Sequence, residues 1–253
     1  MKTLSQPAME VINNFLALPI PGHPVTCPYF NNKKSRVRGA LRVFIGKGST
    51  EDIVDEITLL ALREKIDLST LSDEAVRQLL VENNIGIDCS ALAYYVLDAE
   101  VKARGKGSLK KHLKFPKVKS PLRKLLIKLR TVENVNVGGL ANDANSTQIS
   151  MKEMQPGDLI IMLGTGVNHD LNHILIIDQI DQNLIHYTHA LQWSTDGKYQ
   201  HGVRQGAIHI TNPLLSIKEQ LWTEQEKTGD DNETLWRAKT AERLEIRRLR
   251  ALE

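Results

Sequence analysis

Through the first hundred residues apolar side chains recur at helical spacing, whereas beyond residue 157 they crowd into short, strand-length runs. The spacing predicts a helix over Ala8 to Leu18, followed by a proline-punctuated loop. Cys27-Pro28-Tyr29-Phe30-Asn31-Asn32 reads as a turn, and Gly39 to Gly46, with Leu41, Val43 and Ile45 alternating, as a strand. Ser49 or Thr50 caps a helix through about Glu64, and Ser72-Asp73-Glu74 opens another with Ala75, Val76, Leu79 and Leu80 on its apolar side. A further helix runs from about Asp88 to Lys102. Later come a short amphipathic helix (Pro121 to Leu129) and an Asn/Gly/Ser-rich loop (Asn134 to Ser150). Four strands follow: Asp158 to Leu163, His173 to Ile180, Leu184 to His189 and Gly206 to Thr211. The first two are rich in isoleucine and leucine, the pattern of strands buried on both faces. The tail reads as a helix (Ile217 to Gln225), a polar linker (Lys227 to Glu233) and an element, Trp236 to Glu253, that suits helix or strand. Helices ahead of antiparallel strands make an α+β fold.

Composition adds bounds. A chain of 253 residues buries a full core, and 41% hydrophobic with 25% charged residues is ordinary for a globular protein. No run of about 18 apolar residues indicates a membrane span, and the N-terminus lacks the basic start and apolar core of a secretory signal. Two cysteines, Cys27 and Cys89, make no disulfide framework. The expectation is two free thiols in a cytoplasmic protein, with export by another route left open. The net charge of +3 hides an asymmetry: Val101 to Arg130 holds twelve Lys or Arg residues and no Asp or Glu. Such a block suits an anionic polymer or membrane surface, or is a solvated insertion. Nothing in it reads bases, since its one aromatic residue is Phe115.

The candidate chemistry centres on Cys89, placed where a loop becomes a helix. The partial positive charge of a helix N-terminus favours thiolate, the nucleophilic form. A thiolate hydrolase also needs a base on another element, a polar partner for that base, and donors for an oxyanion. His173 opens a strand, and His186 and His189 lie on the next; alternation puts the latter two on opposite faces. His169 and His173 have the i, i+4 spacing of helical zinc ligands. The Ile-Leu-Ile-Ile run after His173 favours strand, where such residues stand about 13 Å apart, too far to share one zinc. No metal or cofactor is expected. Asp158 is expected to anchor the turn after Pro156-Gly157, Trp193 and Asp196-Gly197 to line a substrate groove, and Trp222 and Trp236 to pack in the tail.

Asp88-Cys89-Ser90-Ala91 resembles the Asp-Cys-Ser-Gly motif of the NlpC-like cell-wall peptidases, a branch of the papain-like cysteine peptidases. Met154-Gln155-Pro156-Gly157-Asp158-Leu159-Ile160 resembles the family's Pro-Gly-Asp-Leu strand entry. Asn172-His173-Ile174-Leu175-Ile176-Ile177 stands in place of its His-Val-Gly-Ile-Tyr strand, and Leu184 to Ala190 in place of the strand bearing its third polar residue. The ordered set covers Gly86 to Thr211, about half the chain. The resemblance implies a papain-like fold with the nucleophile helix packed on an antiparallel β-sheet, with insertions. It implies Cys89 as nucleophile, His173 as base, His189 (alternatively His186) as third residue, and Tyr29 as a candidate oxyanion donor. It also implies a peptide or amide substrate, by family a cell-wall peptide. The chain departs from the pattern: Ala91 replaces glycine, the glycine after the strand histidine is absent, and Tyr29 requires an insertion over residues 39–82. The expected organisation is an N-terminal extension integrated with the core (1–82), a catalytic core (83–212) with the basic insertion at about 101–130, and a charged tail (213–253). The expected activity is amide hydrolysis through a thioester. The alternatives are a thiol acyltransferase on the same scaffold and a non-enzymatic module binding anionic polymer through Lys102 to Arg130.

Overall fold

A computed structural model describes residues 1–31, 42–116 and 118–253, apart from the side chain of Asp230. Among these residues eight α-helices and nine strands form an α+β fold built on one antiparallel sheet. The helices are α1 (Gln6–Leu16), α2 (Thr50–Glu64), α3 (Asp73–Glu82), α4 (Cys89–Ala103), α5 (Pro121–Leu129), α6 (Thr131–Asn134), α7 (Val137–Leu140) and α8 (Glu233–Thr240). The strands are β1 (Lys2–Thr3), β2 (Ser146–Gln148), β3 (Leu159–Thr165), β4 (Leu171–Asp181), β5 (Leu184–Leu191), β6 (Gly202–His209), β7 (Leu221–Glu224), β8 (Lys227–Thr228) and β9 (Arg243–Leu249). Their order is β2-β9-β3-β4-β5-β6-β7-β8, with β1 on the end of β4 beyond β3. No described helix is long and apolar enough to cross a membrane.

The central strands are buried on both faces, which explains their lack of apolar–polar alternation. Leu159, Ile161, Ile174 and Ile176 pack into a core shared with α1, α2 and α4. Ile160, Met162, Leu175 and Ile177 pack into a second core with Tyr187, Trp222 and Leu235 of α8. Helix α4 is buried along most of its length, as befits an element that is apolar nearly all round. Asp158 behaves as expected: its carboxylate accepts from the Gln155 amide at 2.7 Å. It also receives both Nε and Nη2 of Arg248 at 2.8 Å, tying the turn to β9.

Three readings of the sequence change. Arg42–Ile45 form a 3-10 turn rather than a strand, and residues 39–41 of that expected strand lie outside the described residues. Ile217–Glu219 is a single 3-10 turn, and Leu221–Glu224 is strand β7 rather than the second half of a helix. Its side chains alternate exposed and buried, which a helix would not do. The expected 134–150 loop contains α7 and β2. The tail, 213–253, thus supplies β7, β8, β9 and α8, woven into the same sheet and its second core.

Segment Cys27–Phe30 threads between two distant backbones. Pro28 bridges Gly202 at the start of β6, and Tyr29 bridges Ile87 just ahead of α4. Only glycine permits this approach: a Cβ at Gly86 would overlap the Pro28 carbonyl oxygen, and one at Gly202 the Cys27 carbonyl oxygen. Arg77 locks the passage by donating to the carbonyls of Tyr199 and His201, each at 2.6 Å, and to that of Thr26. Gly86→Ala is therefore expected to destabilise the fold by about 2 kcal/mol, since backbone must move to admit the methyl. Gly138→Ala, where a Cβ meets nothing nearer than 3.6 Å, should stay within about 0.5 kcal/mol of the parent in urea unfolding.

Candidate active site

Helix α4 begins at Cys89 because Asp88 caps it. The Asp88 carboxylate accepts from the Ala91 amide at 2.8 Å. Lys47, itself buried, reaches the same carboxylate at 2.7 Å and donates to Ser90 Oγ at 2.7 Å and to the Val135 carbonyl at 2.9 Å. The helix start is thus fastened to two other segments, and Cys89 is held in one place. Its thiol faces the backbone N–H of Ile174, the residue after His173 on β4.

Strand parity sets the histidines. Ile174 and Ile176 point to the α4 side, so His173 points to the other face with Leu175 and Ile177. On β5, His189 shares that face with Tyr187 and Ile185. Since Ile176 pairs with Thr188, His189 lies diagonal to His173, within reach of its ring. His173 Nε2 and His189 Nδ1 are 2.7 Å apart. His189 Nε2 lies 3.0 Å from Glu224 Oε1, and Tyr187 donates its hydroxyl to Glu224 Oε2 at 2.7 Å. His186 sits beside Asp178, pairs with Gln179 and is half-buried, away from this chain of bonds, because alternation puts it on the opposite face from His189.

The order of donors follows from the acid at its end. Burial alone would push the Glu224 carboxyl up, but the charge and hydrogen bond of His189, with bonds from Tyr187 and Thr234, outweigh it and hold the group below its ordinary value. A carboxylate accepts only, so His189 donates from Nε2. With His189 accepting at Nδ1, His173 donates from Nε2, and His173 Nδ1 is left with a bare lone pair. Burial, then His189 and Arg237, hold the His173 ring well below the usual imidazole range, so it is neutral.

The thiol departs from the sequence expectation of a favoured thiolate. Burial first, and the Asp88 charge second, push Cys89 up to about 12, against the opposing pull of Lys47, the Ile174 N–H and Arg237. The helix N-terminus does not overcome a dry site with an acid beside it. Cys27 is fully buried, raised still further by burial, and unpaired with Cys89.

Tyr29 is brought to Cys89 by its bridge to Ile87, despite the distance in sequence. Burial, and then the neighbouring Cys89, keep its hydroxyl protonated; that hydroxyl accepts from Asn31 Nδ2 at 3.2 Å and remains a donor. A cleft of about 520 Å³ opens beside the start of β4, lined by Leu171, Ser194, Glu233, Trp236 and Arg237 among others. Trp193 does not line it: the ring is buried, with Arg204 at 4.9 Å and Lys227 at 4.2 Å from its centroid, and Asp196 pairs with Arg204 at 2.7 Å. Trp236 lines the cleft instead of packing in the core, whereas Trp222 packs against Tyr187 as expected. His169 caps the β3–β4 turn through a 2.9 Å bond between Nδ1 and the Gly164 carbonyl, so the zinc-like spacing serves a turn. Among the described residues no cluster of three His, Cys, Asp or Glu side chains is arranged to hold a metal.

Sequence reasoning missed Glu224, Lys47 and Arg237. Glu224 was concealed by the helical reading of 217–225; the one available signal was the alternation Leu221, Trp222, Thr223, Glu224 ahead of a turn. Lys47 and Arg237 carry no local signal. No family model, curated protein or solved structure matches the chain.

Cys89 is expected to alkylate slowly for a thiol at a helix start. With its pKa near 12 rather than 9.0, it holds at least about a hundredfold less thiolate at neutral pH than an ordinary cysteine. Iodoacetamide rates by peptide mass should climb steeply above pH 9, with Cys27 slower throughout; rapid labelling of Cys89 at pH 7 would contradict this electrostatic picture.

Proposed function

We propose that the chain is a cysteine-dependent amide hydrolase of papain-like, NlpC-like design, cleaving a peptide or amide through a thioester. The observation that carries this reading is the chain of buried bonds from Glu224 through His189 to His173, ending in a bare imidazole nitrogen one residue from the amide that faces the Cys89 thiol.

In this mechanism thiol and imidazole start neutral. As Cys89 Sγ attacks the carbonyl carbon, its proton is taken up by His173 Nδ1, which has to reach it past the start of β4, because the two side chains leave opposite faces of the sheet and share no hydrogen bond at rest. The imidazolium so formed is stabilised through His189 by the Glu224 carboxylate. The oxyanion is met by the Cys89 backbone N–H, unused by the helix at its first position, and by the Tyr29 hydroxyl. His173 returns the proton to the leaving amine, leaving an acyl thioester. It then takes a proton from water, whose hydroxide attacks the thioester and frees the acid and Cys89. An amine in place of that water would make the second half an acyl transfer. The sequence resemblance to cell-wall peptidases favours peptidoglycan-type peptides as the first substrates to test.

An electrophilic peptide probe should add once to Cys89 in intact-mass analysis, and muropeptide digests should gain new amine and acid termini. Cys89→Ala is expected to abolish both, and His173→Ala to lower turnover by about 10³-fold or more. Tyr29→Phe should cost about 10²-fold in kcat with KM little changed. Equal rates in parent and His173→Ala would sink the reading.

Glu224 is a positioning residue, acting through His189. Glu224→Ala is expected to lower kcat by about 10–100-fold with KM held, and Glu224→Gln, which can still accept from His189, to recover part of the loss. Because His173 is neutral down to well below 6.5, kcat/KM should be flat near neutrality and fall only on the acid side of pH 6.5. A Glu224→Ala profile with the parent's shape and kcat would remove the residue from the mechanism.

A further inference from the structure

Helix α5 carries its leucines on the wrong side for a structural helix. Leu122, Leu125, Leu126 and Leu129 follow the i, i+3, i+4, i+7 spacing that normally marks the face turned to a core. Here they are 67%, 56%, 52% and 75% exposed, and Ile127 is the single residue of the helix that is buried. Helical geometry puts Arg123 on one flank of the stripe and Lys128 on the other. Lys110, Lys111, Lys119, Arg123, Lys124 and Lys128 are all exposed, and no Asp or Glu occurs between Val101 and Arg130. Arg123 and Lys114 also edge a cleft of about 340 Å³ beneath the helix.

We infer that α5 and the basic segment around it form a docking surface for an anionic phospholipid bilayer. The leucine stripe enters the boundary between headgroups and acyl chains, and the flanking cations meet the phosphates. Charge complementarity alone would suit any polyanion, but a polyanion in water makes no use of four exposed leucines. Nucleic acid would also call for stacking residues, and the segment offers one half-buried Phe115. A bilayer uses both features at once, since an apolar stripe and its cationic rim bind cooperatively to one surface. This inference is independent of the chemistry at Cys89.

The test is flotation of the full chain with vesicles of phosphatidylcholine, alone or with about 30 mol % phosphatidylglycerol. Binding to the anionic vesicles only, weakened by salt, is expected. Leu122→Gln with Leu126→Gln should cut it at least about tenfold, as should Arg123→Glu with Lys128→Glu. Both pairs lie on the solvent face, and an unchanged urea midpoint confirms that they fold. No flotation with anionic vesicles overturns the inference. So does flotation that survives loss of the leucines while heparin competes for it, which marks a polyanion site. A dimer by light scattering that the leucine substitutions dissolve, without vesicle binding, overturns it in favour of self-association.

Discussion

A lysine ammonium at the N-terminus of a buried helix is opposed by the helix dipole and by the loss of water. Lys47 occupies that position because the Asp88 carboxylate lies against it and satisfies the helix amides at the same time. The remaining donors of Lys47 go to Ser90 and to the Val135 carbonyl, so one buried cation joins the turn after the 3-10 segment, the start of α4 and the segment after α6. Tyr95 adds a 2.7 Å bond to the Lys47 carbonyl from nearly two turns into α4. Everything at the site depends on this clamp, because it fixes the first residue of α4, and that residue is Cys89. An uncompensated member of such a pair would be costly in place, which makes the arrangement all-or-none.

The same dryness that makes the clamp strong keeps the Cys89 thiol protonated. A thiol with almost no contact with water, beside a carboxylate, gains little from ionising, and a buried imidazole flanked by a second imidazole gains little from protonation. Behind His173 the chain of bonds runs through His189 to the Glu224 carboxylate, which is held ionised despite its burial. Both oxygens of that carboxylate are occupied, one by His189 and one by Tyr187, so its direction is fixed as well as its charge.

How much of this could be read along the chain differs by element. Helix α4, the leucine- and isoleucine-rich strands and the turn anchored by Asp158 follow from local pattern, and each lies where the pattern puts it. Cys89, His173 and His189 were likewise visible as residues of the right type on suitable elements. Which of His186 and His189 meets His173 needed the register of β4 against β5. Strand β7 was misread because four residues satisfy helical and strand spacing alike, and with it went Glu224. Tyr29 needed Gly86 and Gly202 to let its segment pass between two backbones.

The sequence by itself determined the elements, the α+β order and the residue types capable of thiol chemistry, because capping and periodicity act over a few neighbouring residues. It also determined the cationic, leucine-striped character of α5. Tertiary structure decided what those residues do. Pairing across the sheet selected which histidine meets which, and burial reversed the ionisation that a helix start alone would favour for Cys89. Packing left the α5 leucines in water while filling both cores from elsewhere. These are outcomes of long-range contact and desolvation, and neither leaves a trace in the local order of residues.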